Sequence, residues 1–376
     1  MNLENMRKYS VTTIVGTRPE LIRLSQVIPK FDDVFSHRFI HTGQNFSSAL
    51  KDVFFKDLKI RDPDAQFDIA SASLGESWAR LFQFCSKEFE IYRPDAVVIL
   101  GDTNSSLAGI LARRLEIPVY HIEAGLRSFD KNVPEEINRR IIDHTADFNM
   151  VYTEHARRNL ISEGLHPRSI ALIGSPMREI FEVNLSSIQS SKVVDSFGLS
   201  REKYFLASLH RQENVDNHMR LITLIKNMES LAERFKVPVI LSTHPRTKKR
   251  LEEFGISTSS DIHIVEPFGF FDYCKLQLDA LCVLSDSGSI SEEAAILGFR
   301  AITLRDSMER PEALEAGSIM MSGVNSRGLE MIAEYILRSN SATSIPDEYK
   351  INNTSDRILK FILSTIDQYK FWFGIR

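Results

Sequence analysis

Cysteine is scarce in this chain: three thiols, Cys85, Cys274 and Cys282, among 376 residues. An odd count at such spacing builds neither a disulfide framework nor a zinc or redox motif. Their apolar neighbours predict buried thiols in a reducing compartment. No apolar run approaches the roughly 18–20 residues of a membrane span, and the polar opening Met1–Ser10 lacks the apolar core of a secretion signal. A basic surplus is missing too. Lys and Arg number 46 against 50 Asp and Glu, a formal net charge of −4, which argues against a nucleic-acid partner. Neither a Gly-x-Gly-x-x-Gly dinucleotide fingerprint nor a Gly-Lys-Ser/Thr phosphate turn occurs, and His210 and His244 are not set with other ligands at metal spacing. These absences predict a cytoplasmic protein that works without a membrane, a metal, a redox cofactor or a nucleic acid.

What is there is an alternation of short Val- and Ile-rich runs with longer amphipathic ones. Val11–Val15, Phe39–His41, Ala96–Leu100, Val119–Ile122, Met150–Tyr152 and Ile170–Ile173 read as strands buried on both faces. Helical periodicity marks Pro19–Lys30, Glu76–Tyr92, Ser105–Leu115 and Glu135–Thr145. The pattern resumes with strands Tyr204–Ser208, Val239–Ser242, Ile262–Val265, Cys282–Leu284 and Ala301–Leu304. Helices are expected at Met219–Phe235, Tyr273–Ala280, Ser291–Leu297 and Arg327–Ser339. Such alternation predicts an α/β fold of parallel sheets covered by helices. At roughly 100–200 residues per domain the length favours two domains. The boundary is placed at Gly174-Ser175-Pro176, giving domains 1–176 and 177–354, and polar Asn184–Ser191 reads as a surface connection. Ser355–Phe373 reads as one more helix, with Ile358, Phe361, Ile362, Ile366 and Tyr369 at helical spacing.

In open α/β sheets, ligands bind beyond the carboxyl ends of the strands. Eight strands here end in polar tails. In the first half these are Gly16-Thr17-Arg18-Pro19-Glu20, Thr42-Gly43-Gln44, Gly101-Asp102-Thr103-Asn104 and Glu123-Ala124-Gly125-Leu126-Arg127. In the second they are His210-Arg211-Gln212-Glu213, Thr243-His244-Pro245-Arg246, Asp286-Ser287-Gly288-Ser289 and Arg305-Asp306. Solvated loops and helix caps at Asp102 or Ser105 would produce some of this, but eight acid-, amide- or base-bearing ends favour one shared cleft. Ser287-Gly288-Ser289 before Ile290–Leu297 suits an anion such as a pyrophosphate, held by free backbone N–H groups at a positive helix end. Simple capping, with Glu292 and Glu293 favouring the helix start, is the alternative. If the turn holds phosphate, one of these glutamates takes the ribose hydroxyls. Arg310, before a proline, is either a phosphate clamp or a surface charge.

These tails form an ordered set. Gly16-Thr17-Arg18-Pro19-Glu20, His41-Thr42-Gly43-Gln44, Gly101-Asp102-Thr103, His121-Ile122-Glu123-Ala124-Gly125-Leu126-Arg127, Pro134-Glu135-Glu136-Ile137-Asn138-Arg139, His210-Arg211, Asp286-Ser287-Gly288 and Glu309-Arg310-Pro311-Glu312 run in sequence from about residue 11 to 325. In them the chain resembles the non-hydrolysing UDP-N-acetylglucosamine 2-epimerases. The resemblance implies two Rossmann-like domains with a cleft between them, as in two-domain glycosyltransferases. It implies a C-terminal helix, within 355–376, that packs back on the first domain, UDP on the second domain, and a homodimer. It implies inversion of C2 in a UDP-N-acetylhexosamine by elimination and re-addition of UDP, without a cofactor, for surface polysaccharide.

Asp102, Glu123, Glu135 and His210 match the family's catalytic positions. The carboxylates would handle protons, while His210 and Arg18 would face the leaving diphosphate. Ser287, Gly288, Ser289 and Glu293 fall where the family holds phosphate and ribose, Arg310 at another nucleotide position, and Tyr273 at an aromatic near uracil. Arg23, Arg139 and His244 complete the substrate-binding set. Arg23 replaces a usual lysine, Ser289 a second glycine and Phe268 a glutamine. Asn45-Phe46-Ser47-Ser48 lacks the basic and amide pattern through which many members bind a second, activating UDP-GlcNAc.

Several stretches, including Asp143-His144-Thr145-Ala146-Asp147 and Gly269-Phe270-Phe271-Asp272-Tyr273, resemble the capsule and O-antigen enzymes. Some of these make UDP-N-acetyl-L-fucosamine from the 6-deoxy-talose epimer. Leu126-Arg127-Ser128 follows the more general pattern, so the resemblance leaves the exact sugar open, with UDP-GlcNAc favoured as the family's commonest substrate. A hydrolysing 2-epimerase, a UDP-sugar glycosyltransferase and a non-catalytic sugar-nucleotide binder are the rival readings.

Overall fold

The computed structural model describes residues 8–44, 55, 57–71, 73–324, 326–339 and 344–375; the Asn45–Ser48 stretch lies outside them. The chain forms two compact units, one of residues 1–127, 133–180 and 351–376, the other of residues 128–132 and 181–350.

The first unit is built on seven strands: β1 Ser10–Val15, β2 Ser36–His41, β3 Ala65–Gln66, β4 Ala96–Leu100, β5 Val119–Ile122, β6 Phe148–Val151 and β7 Ile170–Leu172. Every pairing is parallel and the spatial order is β3-β2-β1-β4-β5-β6-β7. All five residues of β4 are buried, as a central strand covered by helices on both faces requires. One face packs Ile14, Val97, Ile99 and Val119 against Leu81 and Cys85. Each such side chain contributes on the order of 1.5–3 kcal/mol by leaving water.

The second unit has six strands: β8 Phe205–Leu209, β9 Val239–Thr243, β10 Ile262–Val265, β11 Cys282–Ser285, β12 Ala301–Thr303 and β13 Met320–Met321. These too are all parallel, in the order β10-β9-β8-β11-β12-β13. Helix His218–Phe235 places Leu221, Leu224, Ile225, Met228, Leu231 and Ala232 on one stripe, and that stripe packs with Phe205, Leu241 and Leu284 in one core. In both sheets the strand order reverses once, between β1 and β4 and between β8 and β11. Such a reversal splays the connecting loops apart and opens a crevice at the carboxyl ends of the strands.

Several local expectations need correcting. Pro19–Lys30 is two helices, Arg18–Leu24 and Val27–Val34. Pro29 has no N–H to offer the carbonyl of Ser25, so the ladder breaks there. The buried series Leu21, Leu24, Val27, Ile28 and Phe31 runs on through the break, which is why periodicity alone joins the two. Ser105–Leu115 is a 3₁₀ turn, Asn104–Leu107, followed by helix Ala108–Arg114. Ser355–Phe373 is likewise two helices, Thr354–Thr365 and Tyr369–Phe373. Asn184–Ser191 is no loop. Its residues to Ser190 belong to helix Met177–Ser190, in which Met177, Ile180, Phe181 and Ile188 are buried at helical spacing. Strand β6 begins two residues before Met150.

Helix Thr354–Thr365 lies with the first unit, against Val27–Val34. Thr354 donates to the carbonyls of Ile173 and Ser175 at 3.3 and 3.1 Å, and the Tyr120 hydroxyl meets Thr365 at 2.8 Å. Phe361 stands edge-on to Phe148 at 5.7 Å. The three cysteines are buried free thiols. No helix of the described residues is long and apolar enough to cross a membrane.

Candidate active site

At the switch point of the first unit, β1 ends in Gly16-Thr17 and β4 in Gly101-Asp102. Helix Arg18–Leu24 starts at once after β1, and the carboxylate of Glu20 turns back over its own first turn. It accepts from the backbone N–H of Gly16 and Thr17 at 3.0 and 2.7 Å, from the Thr17 hydroxyl at 2.6 Å, and from the Thr103 hydroxyl at 3.1 Å. The ends of β1 and β4 are thereby tied together. Burial raises the Glu20 carboxyl to about 7, against these hydrogen bonds, which lower it.

The next strand end carries Glu123 in the left-handed region, φ 67°. A non-glycine residue held there costs about 1–3 kcal/mol, and such strain concentrates at functional sites. Arg139, from helix Pro134–Thr145, holds the turn. It donates to the Glu123 carbonyl, approaches the Glu123 carboxylate at 3.2 Å and pairs with Asp102 at 2.5 Å. Arg23 reaches the other Glu123 oxygen at 3.1 Å and lies 5.5 Å from the Tyr152 ring centre. One guanidinium therefore links Asp102 and Glu123, two of the three candidate carboxylates. Glu135, in the first turn of the Arg139 helix, is half-buried and has no ion-pair partner among the described residues. Arg18 is half-buried, and burial lowers its guanidinium.

Beneath this turn, Gly125 has φ 78°, and a Cβ there would lie 2.4 Å from the Ala156 carbonyl oxygen. Its N–H donates to Asp143 at 3.1 Å, and Arg127 pairs with the same carboxylate at 2.6 Å.

At the switch point of the second unit, Asp286 is wholly buried at the end of β11. It accepts from the N–H of His210 and Arg211 at 3.0 and 3.1 Å and from Asn214 at 3.1 Å, so it shapes the end of β8. Its carboxylate also meets His210 Nδ1 at 3.1 Å, while the imidazole stays 40% exposed. Burial pushes the Asp286 carboxyl up, but the His210 charge and these donors outweigh it and hold it below the usual carboxylate range.

Beyond Asp286, the Ser287 and Ser289 hydroxyls meet at 2.9 Å. Ser289, the cap residue of helix Ile290–Leu297, makes no side-chain capping bond of its own, while the Ser287 hydroxyl accepts from the Ser289 N–H at 3.3 Å and the Ser285 hydroxyl from the Ser287 N–H at 3.0 Å. Arg310 crosses this turn. Only 4% exposed, it pairs through Nε with Glu292 at 2.9 Å and donates to the Gly288 carbonyl at 3.2 Å. That excludes the surface-charge alternative. Glu293 accepts from Gln277 at 2.6 Å. Gln277 stands one turn from Tyr273 on helix Phe270–Asp279, and the Tyr273 hydroxyl bonds Ser208. His244 caps helix Pro245–Glu253, its Nδ1 accepting from Arg246 N–H at 3.3 Å.

The structure thus joins Arg23, Asp102, Glu123 and Arg139 in one cluster, and Ser287, Gly288, Ser289 and Arg310 in another. His210 stands beside Asp286, and His244 is engaged in a cap. Sequence reasoning missed the organising roles of Glu20, Asp143, Glu292 and Gln277. Two signals were present: Glu20 stands three residues after Thr17, the spacing of a capping box, and Asp143 lies one turn from Arg139 on a shared helix face.

The model of the UDP-N-acetylglucosamine 2-epimerase family matches residues 30–363. A UDP-N-acetylglucosamine 2-epimerase of Methanocaldococcus jannaschii is 37% identical over 361 residues, 94% of this chain and 98% of the relative. Among solved structures, the UDP-N-acetylglucosamine 2-epimerase from Rickettsia bellii matches with a TM-score of 0.90 at 40% identity, covering 97% of this chain and all of that one. The M. jannaschii UDP-GlcNAc 2-epimerase in complex with UDP-GlcNAc and UDP matches at 0.89 and 36%, covering 94% and 99%.

Proposed function

The chain belongs to the UDP-N-acetylglucosamine 2-epimerase family, and from that membership we propose that it interconverts UDP-GlcNAc and UDP-ManNAc without hydrolysis. The C2 proton is removed as the C1–O bond to UDP breaks, leaving a 2-acetamidoglucal and UDP. UDP oxygen then adds back to C1, and C2 receives a proton on the opposite face. The enzyme works in the cytoplasm as a homodimer and supplies amino sugars for surface polysaccharide.

The observation that carries the reading is the Arg139 bridge between Asp102 and Glu123. Proton transfer to and from C2 needs acid–base groups fixed relative to each other, and a shared guanidinium supports that on a turn already strained at Glu123. Asp102, Glu123 and Glu135 take the proton-handling roles. For the nucleotide, Ser287, Gly288, Ser289 and Arg310 bind the diphosphate, Glu293 the ribose and Tyr273 the uracil. His210 and Arg18 stabilise the charge that develops on the departing diphosphate, and Arg23, Arg139 and His244 complete the substrate set. The buried Arg310, held across the small-residue turn after β11 by Glu292 and the Gly288 carbonyl, supports the diphosphate site.

Proton NMR of the purified protein with UDP-GlcNAc in D₂O tests this. Appearance of UDP-ManNAc with deuterium at C2 is expected. Release of free sugar would assign the chain to hydrolysis, and turnover only on addition of an acceptor would assign it to glycosyl transfer. Exchange confined to a 6-deoxy sugar nucleotide would move the substrate to the talose branch.

A further inference from the structure

Helix Phe270–Asp279 carries one wholly buried amide, Gln277. Its Nε2 donates to Glu293 Oε2 at 2.6 Å. Its Oε1 is buried as well and accepts no hydrogen bond among the described residues. The two ends of an amide are told apart by their partners. Here the partner is a carboxylate, which accepts, so the nitrogen faces Glu293. An amide placed for stability pairs at both ends, because a buried carbonyl left unpaired costs free energy. Methionine or leucine would fill a similar volume without that cost. What Gln277 supplies, and they cannot, is the donor at Glu293.

That donor acts on a carboxylate set close to the small-residue turn. Glu293 is half-buried in the first turn of helix Ile290–Leu297, and its N–H donates to the Ser289 carbonyl at 3.0 Å. It therefore stands one helical turn from Ser287-Gly288-Ser289. Tyr273, one turn before Gln277, is a further neighbour: burial and then the Glu293 charge push its hydroxyl up. The Gln277 helix is itself pinned, since the fully buried Tyr204 donates to the Leu276 carbonyl at 2.7 Å. A short, charge-assisted bond from a fixed helix sets the plane of a carboxylate that would otherwise rotate. Of its about four lone-pair directions, one points at Gln277, and that fixes where the others point.

We propose that Gln277 sets the preference for a ribonucleotide, by holding the Glu293 carboxylate in the plane that receives the two neighbouring hydroxyls of a nucleoside diphosphate. In such a ligand the hydroxyls sit on the sugar that carries the diphosphate. A carboxylate one turn from the small-residue turn is placed to take them. Two hydroxyls donating to two oxygens of one group tolerate little rotation of the acceptor. Gln277 is a positioning residue and does not touch the nucleotide. The inference rests on the proposed ribose role of Glu293.

Calorimetry on the full chain, with UDP, 2′-deoxy-UDP and 3′-deoxy-UDP as ligands, tests it. Wild-type protein should bind UDP about 10- to 100-fold more tightly than the weaker of the two analogues, the worth of hydrogen bonds to a charged acceptor. In Gln277→Met, or in Gln277→Leu if that variant fails to fold, UDP should weaken until the preference is about threefold or less, with the weaker analogue within about twofold of its wild-type affinity. Glu293→Gln should lose the preference too, and adding Gln277→Met to it should change nothing further, because the two residues act through one contact. Undiminished preference in a folded Gln277 variant overturns the proposal. So does equal weakening of UDP and both analogues, which a merely structural residue would give. A preference that survives Glu293→Gln, or is absent from the wild type, removes the ribose reading of Glu293 and the proposal with it. Loss in Glu293→Gln without loss in the Gln277 variant removes the proposal alone.

Discussion

The two units solve the same topological problem with opposite chemistry. Both are parallel sheets whose strand order reverses once, and both concentrate polar residues where the loops diverge. In the first, the crevice is organised by buried ion pairs in which arginines grip carboxylates. In the second, a small-residue turn is closed by its own serine hydroxyls, and its arginine is gripped by glutamates. Removing a proton from carbon requires side chains whose own charge is poised and fixed, whereas holding a diphosphate requires donors that need little rearrangement. Identical architecture therefore does not make the two sites equivalent. Each should fail in its own way.

The sharpest break is at the carboxylates. Asp102→Asn and Glu123→Gln should each lower kcat by ~10²-fold or more while leaving UDP affinity nearly unchanged, as turnover by NMR and UDP binding by calorimetry would show. Wild-type turnover in both would remove the proton chemistry from these two carboxylates. Next in size, Arg310→Ala should weaken UDP binding about 10- to 100-fold, the worth of charge-assisted hydrogen bonds. It should also lower thermal stability, because Glu292 keeps its buried charge and loses this partner. Unaltered UDP affinity would dissolve the contrast between the units.

Gly288→Ala is a finer probe. A Cβ there would lie 2.9 Å from Arg310 Nη1 and 3.2 Å from Arg211 Nη2. Both neighbours are the ends of flexible side chains that can shift, so UDP affinity should fall only about fivefold, the cost of mild overpacking.

The smallest effect concerns Glu20. Its carboxyl rises from 4.5 to about 7 on folding, so the folded chain binds the proton more tightly than the unfolded one. The stability contribution of this group is complete below pH 4.5 and is lost as pH rises toward 7. Melting temperature in Glu20→Gln should therefore decline less than in the wild type across that window. Parallel profiles would show that Glu20 does not titrate there.

Strands Ala96–Leu100, Val119–Ile122 and Ile262–Val265 were legible to the residue, because short Val- and Ile-rich runs in a parallel sheet leave few alternatives. Strands Ala65–Gln66 and Met320–Met321 were not. Two residues at a sheet edge carry no periodicity, and their pairing is decided by the strand beside them. Helix Glu154–Ser162 and the start of Met177–Ser190 were hidden by outward polar faces. At the site, the residue types at strand ends were visible, and Arg139 stood inside the Pro134-Glu135-Glu136-Ile137-Asn138-Arg139 motif. That one guanidinium reaches both Asp102 and Glu123 was not visible, since it depends on where helix Pro134–Thr145 lies against β4 and β5. The backbone strain at Glu123 had no local signature either, because glutamate has no preference for a positive φ.

The first unit is closed by residues made long after its sheet. Phe148 and the Tyr120 hydroxyl belong to its sheet, yet their partners Phe361 and Thr365 follow about 170 residues of the second unit. A ribosome adding roughly 5–20 residues per second leaves that flank of the nascent sheet without its helix for roughly 10–30 s. Chaperone dependence and loss of yield on C-terminal truncation should accordingly centre on the amino-terminal half of the polypeptide.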